Sequence, residues 1–350
     1  MQKQSARIQW MDGVRVIACL MVILMHAPMP STTASNAFNA FYSYLNVPCI
    51  PLFFMLSGAL LFPIKGSSRQ FLTKRVSKLV IPAVFWSSLV LIFRFYKGQV
   101  ATSEHILKAF FKMPFGPVEE VYWYLYTAIG LYLFAPILSV WLANTSRRMI
   151  EGYLLLWSVT LFLPYLDSFF PGIFNINPYT TLFAFTGFTG YMILGYYLAH
   201  FEFHFKAWYK HYPLRSGMVI LTIILIIGVP PFVYLIKRVF GHQLLLKYDF
   251  YLVSHAMLMS VIVFLLIKYW YHCFPIIHKL CAFLAPLTFG IYLVHFIIQR
   301  DYVWHWMETY FPNMHSGVAP LFISMITLLI STIVVLGIKR LSFSKYIIGV

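Results

Sequence analysis

The sequence predicts an all-α fold, a polytopic membrane helix bundle of about ten transmembrane helices with both termini in the cytoplasm. Of the 350 residues, 61% are hydrophobic and only 10% are charged, whereas a soluble globular domain carries about 25% charged residues. Apolar stretches of about 20 residues, the length that crosses a bilayer, recur along the chain. No long hydrophilic insertion separates them, so we predict one integral-membrane domain over residues 1–350.

Ten spans follow from these apolar stretches, with bounds that are loose by a few residues. They are residues 9–28, 43–63, 79–97, 121–142, 150–165, 180–200, 215–235, 249–270, 280–299 and 317–338. The fifth span is the weakest, because it is short and ends at Pro164.

The basic residues between the spans predict the orientation. With a cytoplasmic N-terminus, the inner loops carry roughly twice as many Lys and Arg residues as the outer loops, as the positive-inside rule requires. The formal net charge of +16 would suggest a nucleic-acid partner for a soluble protein. Here topology and anionic membrane lipids account for most of it, so we expect lipid contacts and no nucleic acid. Some basic side chains remain candidates for binding an anionic substrate.

The cysteines show neither a metal-binding nor a redox spacing. They are Cys19, Cys49, Cys273 and Cys281. We interpret them as free thiols and predict no metal site.

A polar stripe runs along the first predicted helix, DGVRVIACLMVILMH, at residues 12–26. Arg15 and His26 are eleven residues apart, which is about three helical turns with an angular offset of only about 20°. Asp12 lies three residues before Arg15 and joins the same face. Ionisable residues inside a membrane span are costly and usually functional, so this stripe is the leading candidate site.

A cationic cluster is predicted at the inner end of the bundle. Arg75 and Lys78 are three residues apart at the start of the third span, so they share a helix face. Together with Arg15 they match a phosphate-bearing ligand that approaches from the cytoplasm, because guanidinium groups bind phosphate oxygens in pairs. Plain positive-inside anchoring explains Arg75 and Lys78 equally well, and a simple ion pair with Asp12 is the main alternative for Arg15.

The ninth span contains LTFGIYLVH, in which Thr288, Tyr292 and His295 fall on one helical face. His295 and His26 lie at similar depths in the outer half of their helices, which suggests a shared polar site. A hydrogen-bonded packing role is the alternative for a membrane histidine. Imidazole exchanges a proton near neutral pH, as the activation of a hydroxyl requires.

Three weaker candidates for substrate binding are Ser57, Glu120 and Trp123. The Ser57-Gly58 pair is more typical of tight helix packing, and no G-x-S-x-G elbow surrounds Ser57. Trp123 fits an interfacial aromatic belt. Glu120, like Glu119, suits the start of a helix, where it complements the helix dipole. Both glutamates are also placed to line the outer mouth of a site.

Taken together, these segments resemble the acyltransferase-3 family of membrane acyltransferases. The first helix is similar to the family's R-x10-H pattern, here Arg15 to His26, and FFMLSGALLF followed by FLTKRVSKLVIPAVFW resembles its serine–glycine helix and R-x2-R motif. WYLYTAIGLYLFAPIL and TFGIYLVH also look like family features. The matches extend from residue 7 to about residue 298. One departure is Lys78, which replaces the second arginine of R-x2-R and keeps its charge but not its bidentate fork.

The resemblance implies transfer of an acyl group from cytoplasmic acyl-CoA to a hydroxyl, usually on a sugar of a surface or envelope glycan. It implies that the inner arginines hold the CoA and that the first-helix histidine is essential for catalysis. Because the chain stops at Val350, it looks like the stand-alone form without a fused extracytoplasmic domain.

We therefore predict an O-acetyltransferase of the bacterial inner membrane that uses acetyl-CoA and a glycan or lipid-linked saccharide acceptor. Arg15, Arg75 and Lys78 bind the donor, and His26 is the general base. Asp12 and Arg15 set the electrostatics of the first helix, and Tyr292 or His295 assists. A covalent acyl-histidine step and an oligomeric state both stay open.

Two other classes of protein fit parts of the pattern. A transporter or flippase would use the polar stripe as a substrate path, although broken or inverted-repeat helices are not evident. A membrane sensor or scaffold would not need Arg15 and His26 in register.

Overall fold

The computed structural model describes residues 8–27, 36–98, 103–170, 172–174, 179–201, 251–273, 275–315 and 317–349, together with Gly228. Every regular element within these ranges is helical, which confirms the predicted all-α class. The seventh predicted span, residues 215–235, lies outside the described residues apart from Gly228.

We number the α-helices in chain order. They are α1 (Gln9–Met25), α2 (Asn36–Leu45), α3 (Cys49–Leu61), α4 (Ser68–Tyr96), α5 (Ser103–Lys112), α6 (Trp123–Asn144), α7 (Arg147–Thr160), α8 (Leu163–Phe169), α9 (Thr189–His200), α10 (Ser254–Trp270), α11 (Pro275–Leu284), α12 (Thr288–Ile298), α13 (Trp304–Tyr310), α14 (Ala319–Ile338) and α15 (Ser344–Ile347). Short 3₁₀ turns precede α6, α9, α11 and α12, and a π-helical turn, Gln299–Val303, joins α12 to α13.

Six stretches of the described chain are long and apolar enough to cross a bilayer. They are Phe41–Leu61, Ser68–Tyr96, Glu120–Asn144, Arg147–Asp167, Pro275–Tyr310 and Ala319–Ile338. Each overlaps a predicted span, and α10 is a shorter apolar helix. The chain is therefore a multi-pass membrane protein, while the count of ten spans and the orientation stay predictions.

Two predicted spans have different helix bounds in the structure. For the sixth, residues 180–200, the prediction of a continuous helix was wrong over the first half, because the helix begins only at Thr189. Gly187 has φ of +100°, a left-handed conformation that an α-helix does not accommodate. In the fifth span, α7 ends at Thr160 and a second helix, α8, follows. Pro164 lies in the first turn of α8, where a backbone N–H has no partner within the helix, so proline costs no hydrogen bond there.

Helices α3 and α9 pack backbone against backbone through two glycines. A Cβ added to Gly58 would lie 1.8 Å from the carbonyl oxygen of Met192, and one added to Gly195 would lie 1.9 Å from that of Met55. Neither position can hold a side chain without separating the helices. This confirms the helix-packing interpretation of the Ser57-Gly58 pair.

Helix α1 lies at the centre of the bundle and contacts α3, α10, α11, α12 and α14. At Gly13, an added Cβ would lie 2.8 Å from the ring of Tyr271, so this glycine permits a close approach. Asp12 is buried at 7% exposure, as are most apolar side chains of the helix. The polar stripe therefore faces protein on several sides.

Candidate active site

A cavity of about 630 Å³ brings the three predicted cations together. Arg15 reaches it from α1, and Arg75 and Lys78 reach it from one face of α4. The remaining lining residues come from α3, α6, α12 and the turn before α12, together with Gly349. Residues that are far apart in the sequence thus converge on one space.

The cavity has a strongly positive lining. None of its lining residues in the described chain is acidic. Arg75 and Lys78 are exposed and form no ion pair within the described ranges, whereas Arg15 is partly buried. Guanidinium and ammonium groups gathered in this way suit an anion with several oxygens, such as a phosphate ester.

Hydroxyl groups also line the cavity. Ser57 donates to the carbonyl of Phe53 at 2.9 Å, and its oxygen lies 3.2 Å from the hydroxyl of Tyr132. Tyr124 and Tyr292 are also lining residues. Because the hydroxyl proton of Ser57 is given to the backbone, Ser57 can offer its oxygen only as an acceptor.

His26 and His295 lie next to each other. Their ring centroids are 5.7 Å apart, with His26 at the C-terminal end of α1 and His295 in α12. The ring of Phe296 packs edge-on against His26 at 5.2 Å. The structure thus brings together the two histidines that the sequence placed at similar depth.

The hydrogen bond of His295 fixes its neutral tautomer. Its Nδ1 lies 2.6 Å from the carbonyl oxygen of Tyr292, which can only accept. Nδ1 therefore carries the proton, and Nε2 of the neutral ring carries a lone pair. The side chain is fully buried.

His26 and His295 lie beyond the cavity and do not line it. Tyr292 connects the two regions, since it lines the cavity and its ring lies 5.8 Å from that of His295. Tyr292 is therefore a residue that contacts both the cavity and the histidine pair.

The His295 helix is held in place by two reciprocal hydrogen bonds. Tyr122 donates to the carbonyl of Leu293 at 2.9 Å, and Tyr292 donates to the carbonyl of Val121. Both bonds are buried, so they fix the turn at residues 120–122 against α12 and limit the motion of His295.

A second charged cluster lies at the other end of α4. Glu119 is buried between Arg94 at 2.5 Å and Arg300 at 2.9 Å, and Arg300 also contacts Asp301 at 3.0 Å. On a helix, Arg94 lies about 28 Å from Arg75, close to the thickness of a bilayer core of about 30 Å. The cationic cavity and this ion-pair network therefore lie near opposite ends of the membrane-spanning region.

The remaining predicted site residues do not line the cavity. Glu120 is exposed, whereas its neighbour Glu119 is the buried carboxylate. Trp123 stacks on Tyr251 with centroids 5.4 Å apart. Asp12 is buried on α1. Their predicted roles in substrate binding or catalysis remain predictions.

Gln299 is a residue that sequence reasoning missed. Its Nε2 donates to the carbonyl of Ile23 at 3.0 Å, and its side chain is fully buried. The available signal was an amide four residues after His295, on the same helical face. Within the described chain, no group of three or more His, Cys, Asp or Glu side chains is placed to hold a metal ion.

Comparison with known proteins gives the class of this bundle. A family model described as an acyltransferase domain matches residues 8–339. The protein is thus a membrane acyltransferase.

More particularly, the chain belongs to the acyltransferase-3 (Acyl_transf_3) family. No curated protein and no solved structure matches it.

Proposed function

We propose that this protein transfers an acetyl group from cytoplasmic acetyl-CoA to a hydroxyl of an envelope or surface glycan, in a bacterial inner membrane. The acceptor is the glycan itself or a lipid-linked saccharide. The observation that carries the proposal is the convergence of Arg15, Arg75 and Lys78 on one cavity.

The cavity suits the donor in charge and in size. Its volume of about 630 Å³ lies within the range of roughly 300–1,000 Å³ for small-molecule sites. The two arginines offer paired donors to phosphate oxygens, and Lys78 offers a point charge. The phosphates of CoA bind here, and the thioester arm extends past Tyr292 toward His26.

The acetyl transfer itself takes place beside His26. The acceptor oxygen attacks the thioester carbonyl carbon, a C–O bond forms, and the C–S bond breaks. His26 takes the hydroxyl proton as general base and returns it to the departing thiolate of CoA. His295 assists through its Nε2 lone pair, and Asp12 and Arg15 set the electrostatics of α1. A covalent acyl-histidine intermediate remains the alternative route.

Binding of acetyl-CoA to the purified protein in detergent tests the proposal. Isothermal titration with acetyl-CoA should show a saturable site, and slow release of free CoA should show hydrolysis of the thioester. A transporter or flippase would neither bind nor hydrolyse acetyl-CoA, so the absence of both signals would contradict the proposal.

A further inference from the structure

We propose that His295 Nε2 and Gln299 Oε1 form a subsite beside His26 that binds two neighbouring hydroxyl groups of the acceptor. This inference rests on the proposed function and adds a substrate-binding residue, Gln299, that neither the family match nor the sequence assigned. It starts from two buried polar atoms that lack a hydrogen-bond partner within the described chain.

Both of these atoms are hydrogen-bond acceptors. His295 carries its proton on Nδ1, which faces the carbonyl of Tyr292, so Nε2 accepts. Gln299 turns its amide nitrogen toward the carbonyl of Ile23 at 3.0 Å, so its other terminal atom is the oxygen. The assignment of each group follows from a neighbouring carbonyl that cannot donate.

The residues that carry the two acceptors are one helical turn apart, and each has a neighbour in the last turns of α1. His295 and Gln299 are four residues apart, which places them on one face of α12 and its continuation. Gln299 binds the carbonyl of Ile23, which precedes His26 by three residues in α1, about one helical turn. The His295 ring lies 5.7 Å from the His26 ring.

The chemistry of these atoms selects the ligand. A buried acceptor without a donor costs free energy, so a group that donates a hydrogen bond is favoured at each one. Phosphate and carboxylate carry no such hydrogen when ionised, whereas a sugar ring offers hydroxyls on adjacent carbons. Gln299 also begins the π-helical turn Gln299–Val303, a backbone feature that is frequent at functional sites.

Inverted membrane vesicles of the native host, incubated with radiolabelled acetyl-CoA, provide the assay. Alkali-labile label in the envelope fraction measures O-acetyl transfer to the endogenous acceptor. Two soluble competitors, cis-cyclohexane-1,2-diol and cyclohexanol, differ only by the second hydroxyl. The wild-type protein should be inhibited about fivefold more strongly by the diol, the factor expected for one additional hydrogen bond.

Gln299→Met keeps the length of the side chain and removes its amide. We expect the diol preference to fall to about one and the KM for the acceptor to rise, while the affinity for acetyl-CoA is unchanged. Gln70→Met, at an exposed position of α4, is the matched control and should retain the preference. If Gln299→Met does not fold, His295→Asn, which removes Nε2, should lose the preference in the same way.

The possible outcomes separate the two proposals. If wild-type vesicles incorporate no alkali-labile label, the proposed function is wrong, and the subsite with it. If the wild-type protein transfers acetyl but does not prefer the diol, or if both variants keep the preference, only the subsite is overturned. A buried water molecule would then be the better explanation for the two acceptors.

Discussion

His26 and His295 place their rings 5.7 Å apart although they belong to the first helix and to α12, near opposite ends of the chain. Hydrogen bonds hold both of the helices that carry these two rings. Gln299 holds the last turn of α1, and the reciprocal bonds of Tyr122 and Tyr292 hold α12. A preorganised pair of imidazoles next to a cationic cavity is the arrangement on which the following predictions depend.

Arg75→Ala should weaken the binding of acetyl-CoA. A hydrogen bond to a charged group contributes about 1.5–3 kcal/mol, so the Kd should rise at least about tenfold. Lys74→Ala is the matched control, because Lys74 is a neighbouring basic residue of α4 that does not line the cavity. Isothermal titration measures both. Equal effects of the two substitutions would mean that only the general positive charge matters.

Lys78→Arg should tighten the binding of acetyl-CoA by a few-fold. The substitution restores the second arginine of R-x2-R and replaces a point charge with a group that binds two phosphate oxygens. The same titration measures this change. A weaker affinity would contradict the two-oxygen phosphate contact that we expect for an arginine at this position.

Gly58→Ala should destabilise the bundle. The new Cβ would lie 1.8 Å from the backbone of Met192, and overpacking of this kind typically costs about 1–3 kcal/mol or more. Gly130→Ala in α6 is the control, because an added Cβ there meets nothing within 4 Å. Thermal unfolding in detergent measures the difference. Similar unfolding temperatures for the two variants would contradict the close contact of α3 with α9.

Glu119→Gln should destabilise the protein, and Glu120→Gln should have little effect. Glu119 is buried between two arginines that are each only about one-quarter exposed. Removing its charge takes the carboxylate partner from Arg94 and leaves Arg300 with Asp301 alone, at a cost of up to about 3 kcal/mol. Glu120 is exposed. Chemical denaturation of the two variants compares them. A stable Glu119→Gln variant would mean that water solvates both arginines well.

Much of the fold and of the site could be predicted from residue spacing within single helices. The i, i+3 relation of Arg75 and Lys78 placed them on one face, and the structure finds both lining the same cavity. Depth in the membrane suggested a site shared by His26 and His295, but their adjacency depends on helix packing, which spacing does not encode.

The points that sequence reasoning missed depend on tertiary contacts. Glu119 and Glu120 are adjacent acidic residues, and only the positions of Arg94 and Arg300 determine which of them is buried. From the sequence, Gln299 is one polar residue after an apolar helix. Its buried hydrogen bond to the carbonyl of Ile23 depends on the packing of α12 against α1. The break before α9 depends on the left-handed backbone of Gly187.

Acetyl transfer by a His26→Ala variant tests the central claim most directly. The variant must be correctly inserted and must bind acetyl-CoA like the wild-type protein, since His26 does not line the cavity. His305→Ala, at an exposed histidine, is the control. We predict that His26→Ala lowers the rate of alkali-labile acetyl incorporation at least about a hundredfold, whereas His305→Ala leaves it unchanged. A wild-type rate in His26→Ala would contradict the mechanism.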